Sequence, residues 1–271
     1  MSGSSYYVPH ETKWPFLATI ALMIMFIGLA NYMNDESTLT LTLTGLGLLL
    51  IVVYGWFSYV VRESESGLYD DQVDMSFRWG MAWFIFSEVM FFAAFFGALY
   101  YARELSLPWL AGDGSGVSTN QELWPSFENV WPSNGPANYG GDFVVMKAAG
   151  IPALNTIILL ISGLTVTWAH HGLKEGKRNQ LILGLIATVL LGFIFVGFQA
   201  YEYSHAYNDL NLKMSSGIYG STFYMLTGFH GFHVTLGAIM LTVILFRCIR
   251  GHFSNENHFG LSLIHISEPT R

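Results

Sequence analysis

Apolar side chains fall into six blocks along this chain, each long enough to cross the ~30 Å hydrocarbon layer of a bilayer as a helix. Polar, charged or turn-forming residues separate the blocks. They predict spans at about residues 15 to 33, 39 to 61, 79 to 101, 144 to 169, 181 to 203 and 217 to 246. Strict apolar/polar alternation, the mark of a transmembrane barrel, does not appear, and backbone groups in lipid are satisfied only in helices or closed barrels. The fold class is therefore an all-α integral membrane protein, a polytopic helical bundle with six spans. Pro152, the proline set well inside a predicted span, predicts a local kink or a late helix start. RESESGLYDDQVDMSFR, between the second and third spans, reads as a short polar turn. The one long connection, Ala102 to Phe143, carries Trp109, Trp124 and Trp131. Rings of that size favour packing over solvation, so it is expected to fold over the outer surface of the bundle or against another subunit.

Composition agrees with the pattern: 52% of the 271 residues are hydrophobic and 11% are charged. The net charge of −7 is spread over loops and offers no basic surface to nucleic acid. Cys248 is the single cysteine, which excludes a disulfide framework and a paired-thiolate metal centre. MSGSSYYVPHETKWPF has no small-residue cleavage pattern, so the first span is expected to stay in the mature chain. Basic residues are retained on the cytoplasmic side during insertion. With the N-terminus on that side, Lys13, Arg62, Arg78, Lys174, Lys177, Arg178, Arg247 and Arg250 lie inside, against Arg103, Lys147 and Lys213 outside. Trp14, Trp79 and Trp168 near span ends, and Trp56 a turn or two further in, form an aromatic belt.

The candidate chemistry is sparse. Glu88 stands near the centre of the third block, where a charged carboxylate costs about 2.5 to 3.5 kcal/mol. Two readings stay open: a residue facing protein or trapped water for a functional reason, or a protonated, hydrogen-bonded Glu that ties helices together. Of nine histidines, His230 and His233 lie well inside a span and project from nearly the same helix face. They could contribute two nitrogens to a metal with further ligands from elsewhere, but the neighbouring Gly228, Gly231 and Gly237 argue for close helix packing with imidazoles bonded to carbonyls or hydroxyls. His170 and His171 read as interfacial caps and His205 as solvated. Gln199 and Glu202 are expected to bond across helices near the outer boundary.

The runs FIFSEVMFF, PALNTIILLISGLTVTWAHH, LLGFIFVGFQAYEY and GIYGSTFYMLTGFHGFHVTLG, together with YYVPHETKWPF and GHFSNENHFG, strongly resemble subunit III of the haem-copper cytochrome c oxidases, in order over about 250 residues. The resemblance implies a non-redox accessory subunit of a proton-pumping oxidase in aerobic respiration. It would pack on subunit I beside subunit II, with cytochrome c as electron donor to the complex. Haem and copper would sit in those partners and no metal in this chain, whose two intramembrane histidines and one cysteine are too few for either role. The family's first two helices are splayed from the rest by a cleft that holds structural phospholipids, and the positions here matching its lipid contacts are Tyr54, Trp56, Arg62, Glu63, Arg247 and His252. Arg62 and Arg247 at inner span ends suit lipid phosphate. Glu88 matches the family carboxylate that reacts with hydrophobic carbodiimides, reagents that attack protonated carboxyls in apolar surroundings. The subunit is understood to support proton uptake and to protect the catalytic site from turnover inactivation; for Glu88 itself we favour helix and lipid organisation.

Two departures stand out. GLYDD replaces a loop His of mitochondrial relatives, which leans toward a bacterial plasma membrane with a cytoplasmic N-terminus over the mitochondrial inner membrane. The family continues into a seventh, aromatic-rich helix where this chain reads LSLIHISEPTR, too short and polar to span, so residues 1 to 260 are expected to form the family-like domain and 261 to 271 a foreign tail. Subunit III of a related quinol oxidase is the alternative of the same class. A stand-alone membrane transporter is the alternative from another class.

Overall fold

A computed structural model of the chain describes residues 12–34, 38–69, 71–138 and 140–251. Among these residues there is no strand, and six helices are long and apolar enough to cross a membrane. Two compact units divide the chain, Met1–Trp79 and Gly80–Arg271.

The first unit is built on α1 (Trp14–Met33) and α2 (Thr40–Glu65). Pro15 sits in the first turn of α1, where its missing N–H removes no helical hydrogen bond. Gly28 and Gly45 let the two helices touch along their backbones: a Cβ at Gly28 would collide with Thr42 and one at Gly45 with Met25. Helix α3 (Asp71–Tyr101) begins in this unit and runs on into the second. It continues through a π-helical turn, Ala102–Ser106, into the short α4 (Leu107–Leu110).

In the second unit, α5 (Val117–Leu123) lies in the long connection, and α6 (Ile151–Lys174), α7 (Arg178–Asn208) and α8 (Gly217–Arg250) form the main bundle. Its core joins Val166, Ala169 and Leu173 of α6 to Leu181, Leu185 and Val189 of α7 and to Leu241, Ile244 and Cys248 of α8. Gly184 makes the α6–α7 approach possible, since a Cβ there would lie 2.8 Å from Ala169 Cβ and 3.0 Å from the Thr165 carbonyl oxygen. Nearby, the Thr165 and Thr188 hydroxyls meet at 2.7 Å. At the end of the bundle where α6 and α7 join, Arg178 Nη2 donates to the Ile249 carbonyl at 2.8 Å, tying the start of α7 to the last turn of α8. Large apolar residues such as Leu164, Leu190 and Phe246 point outward, the arrangement of a chain solvated by lipid.

The long connection packs on the opposite end of this bundle. Val144 N–H donates to the Leu210 carbonyl at 2.9 Å, Tyr219 N–H to the Ser133 carbonyl at 3.2 Å, and Asn211 Nδ2 to the Gly140 and Asp142 carbonyls at 3.1 and 2.9 Å. Phe143 stacks on the Tyr219 ring at 5.4 Å, and Trp131 meets it edge-on at 5.5 Å. Trp109 Nε1 donates to Ser115 Oγ at 3.1 Å within the connection itself.

Several boundaries differ from the sequence expectation. The fourth span starts at Ile151 and not near 144, because Gly150 takes φ 141° and Pro152 occupies the first turn; the proline marks a late start and no kink. The segment 62–78 is a turn only in part. Helix α2 runs on to Glu65 and α3 begins at Asp71, where Asp74 and Arg78 pair at 2.7 Å across one helical turn. The polar sequence hid these turns because a helix leaving the bilayer no longer needs apolar side chains. His252 and the segment 261–271 lie outside the described residues.

Candidate functional site

Glu88 faces α8 from the middle of α3, and the group it meets is His233. The carboxyl Oε2 and the imidazole Nε2 stand 2.7 Å apart. Their approach is off the hydrogen-bond axis, so Oε2 is buried and held by proximity with no aligned hydrogen bond. The other ring nitrogen, Nδ1, lies 2.6 Å from the Phe229 carbonyl one turn earlier on α8. A carbonyl only accepts, so Nδ1 carries a proton and the tautomer is set. Nε2 is then the ring nitrogen that faces the Glu88 carboxyl.

Aromatic rings flank the pair, whose side chains are 32% and 31% exposed. Phe229 lies 5.1 Å from Phe91 and 5.3 Å from Phe95, and the His233 ring is 5.4 Å from Phe92 and 6.0 Å from Phe91. The run FIFSEVMFFAAFF therefore brings the carboxyl and the rings beside it on a single helix.

His230 and His233 do not converge on a shared ligand. His230 turns toward α7, edge-on to Phe195 at 5.8 Å, and lines a half-open cavity of about 690 Å³ between α6, α7 and α8. Asn155, Gln199, Glu202, Tyr219 and Thr227 line the same cavity. Glu202 is 5% exposed and forms no hydrogen bond or ion pair among the described residues. Across the wall, the Tyr203 and Thr227 hydroxyls bond at 2.7 Å.

Among the positions matched to lipid contacts, Tyr54 is 77% exposed and Trp56 is exposed as well. Arg62 lies in the last turn of α2 and Arg247 in the last turn of α8. Glu63 is buried within its own unit and accepts a hydrogen bond from the Tyr69 hydroxyl at 3.0 Å. Among the described residues no group of three or more His, Cys, Asp or Glu gathers as a metal site would require. Sequence reasoning did not foresee the Glu88–His233 pairing, Asn155 or the Arg178 tie; the first could have been sought by asking which imidazole lay at Glu88's depth.

Fold and site define a polytopic helical membrane protein with a carboxyl–imidazole pair between α3 and α8 of its second unit. The sequence matches the family of cytochrome c oxidase subunit III over residues 4–112 and 123–266, the break falling in the long connection around α5. Cytochrome c oxidase subunit 3 of Carassius auratus is 39% identical over 257 residues, covering 94% of this chain and 87% of that protein, and the same figures hold for Gadus morhua. The corresponding protein of Prototheca wickerhamii is 41% identical over 271 residues, covering 96% of this chain and 89% of its own. The chain belongs to the cytochrome c oxidase subunit III family.

Proposed function

We propose that this chain is a non-redox accessory subunit of a proton-pumping cytochrome c oxidase, packed on subunit I, with haem and copper carried by subunits I and II and cytochrome c feeding the complex. The observation that supports this best is the state of His233. The intramembrane imidazole best placed to bind a metal is already committed on both nitrogens, to the Phe229 carbonyl and to Glu88. Glu88 then serves helix organisation by closing α3 onto α8, and any influence on proton uptake or on survival of the catalytic site during turnover passes through the neighbouring subunit.

Phospholipid binding belongs to the same proposal. Exposed Tyr54 and Trp56 offer rings to acyl chains, while Arg62 and Arg247 at helix ends offer guanidinium groups to phosphate. Glu63, engaged with Tyr69, would act by holding its own unit together. The membrane is a respiratory one with the N-terminus on the cytoplasmic or matrix side. The bacterial placement rests on the GLYDD loop alone.

Purification through a tag on this chain tests the assignment. Haem-bearing polypeptides should co-isolate, with iron and copper following them when the subunits are separated without denaturation. A colourless preparation, or stoichiometric metal on this chain, would reject it.

A further inference from the structure

The cavity between α6, α7 and α8 takes no part in the Glu88–His233 pair, yet its wall carries polar groups with nothing to bond. Glu202 is 95% buried from solvent by the 5% exposure that remains and has no hydrogen bond or ion pair among the described residues. Asn155, at 3% exposure, has both amide atoms buried without a hydrogen-bond partner. Buried polar groups in native proteins are satisfied, and an ionisable group inside a span faces either a partner or a water-filled cavity. Lipid tails could supply neither donor nor acceptor.

We infer that this cavity holds a cluster of ordered water anchored on the Glu202 carboxylate. The site meets the conditions for stable hydration. Its volume of about 690 Å³ has room for several waters at about 30 Å³ each. Gln199, Tyr219, Thr227 and His230 share the lining with Glu202, so a water there reaches the two to four polar partners it needs. A route in exists as well. Met146 and Ala148, in the stretch between that connection and α6, also line the cavity, and Tyr219 is the ring against which the connection stacks. Water thus enters at the outer end of the bundle and extends as far as His230.

Thiol accessibility in the purified oxidase tests this. Methanethiosulfonates attack the thiolate, which forms in water and not in hydrocarbon. In Thr227→Cys, a charged, impermeant reagent should modify the new thiol at least tenfold faster than in Leu190→Cys, whose position faces outward on the same bundle. Ser162→Cys, on the cavity's α6 wall, gives a second reading should the first variant fail to assemble. Density maps of the unmodified complex should show water within hydrogen-bond distance of Glu202. Equal rates at the cavity and outward positions would overturn the inference, as would an acyl chain or a side chain of another subunit filling the space. Because the rates are read on a haem-bearing complex, failure here leaves the assignment as an oxidase subunit standing.

Discussion

Glu88 Oε2 stands 2.7 Å from His233 Nε2, and that proximity decides which substitutions the site accepts. Glu88→Gln keeps an amide N–H that can be offered to the bare Nε2, whereas Glu88→Leu removes both partners' purpose and leaves the imidazole nitrogen facing hydrocarbon. Polar contacts between spanning helices are worth about 0.6 kcal/mol on average and at most about 1.7, because the membrane-inserted unfolded state also finds partners. Orphaning a buried group costs more, about 1 to 3 kcal/mol. Glu88→Leu and His233→Leu should therefore each destabilise the subunit by about 1 to 3 kcal/mol, Glu88→Gln by less than about 1, and the double Leu variant by less than the sum of the singles. Thermal melting of the purified complex, read by loss of this chain from it, measures all four. Strict additivity would show that the two side chains do not interact. A hydrophobic carbodiimide should label wild type and not Glu88→Gln, with incorporation followed by mass spectrometry.

Among the helices, close approach matters more than amphipathic patterning, since lipid rewards no apolar face over another. Gly184 sets the α6–α7 distance, and Gly184→Val would drive a branched side chain into Ala169 and the Thr165 carbonyl. Overpacking of this kind costs about 1 to 3 kcal/mol and should lower the melting temperature, while the same change at Gly197, with open space around it, should have little effect. Arg178→Ala frees the Ile249 carbonyl and should cost about 0.5 to 1.5 kcal/mol, recovered only in part by Lys, which cannot present a planar fork. The same physics explains what could be read in advance. Six blocks of apolar residues gave the six spans because the bilayer demands a minimum length. The inner extension of α3 from Asp71 and the start of α6 at Ile151 were illegible to that criterion, since both boundaries are set by local backbone chemistry: helix-compatible polar residues in one case, Gly150 and Pro152 in the other. Pairings such as Glu88 with His233 depend on which helix lies beside which, information that no single helix carries.

For the molecule as a whole, the distribution of basic residues makes a claim about sidedness that each element can check. Lys174, Lys177 and Arg178 share the α6–α7 turn, and Arg247 and Arg250 end α8, so these helix termini gather positive charge at one end of the bundle. The aromatic connection with Trp109, Trp124 and Trp131 caps the other end, held by Asn211 and Tyr219. Positive residues are retained on the negative, cytoplasmic or matrix side during insertion, so the aromatic cap is expected on the outer side. A protease cleavage site inserted at Leu123, which is exposed at the end of α5, should be cut only from the outer side of sealed vesicles, and a site inserted in the α6–α7 turn at Gly176 only from the inner side. Reversal of the two patterns would invert the topology and move the proposed water cavity to the inner face. Mutating Lys174, Lys177 and Arg178 together to Gln should weaken the preference and yield a mixed population in the same assay, because the charge on that single turn is the largest local contribution to the bias.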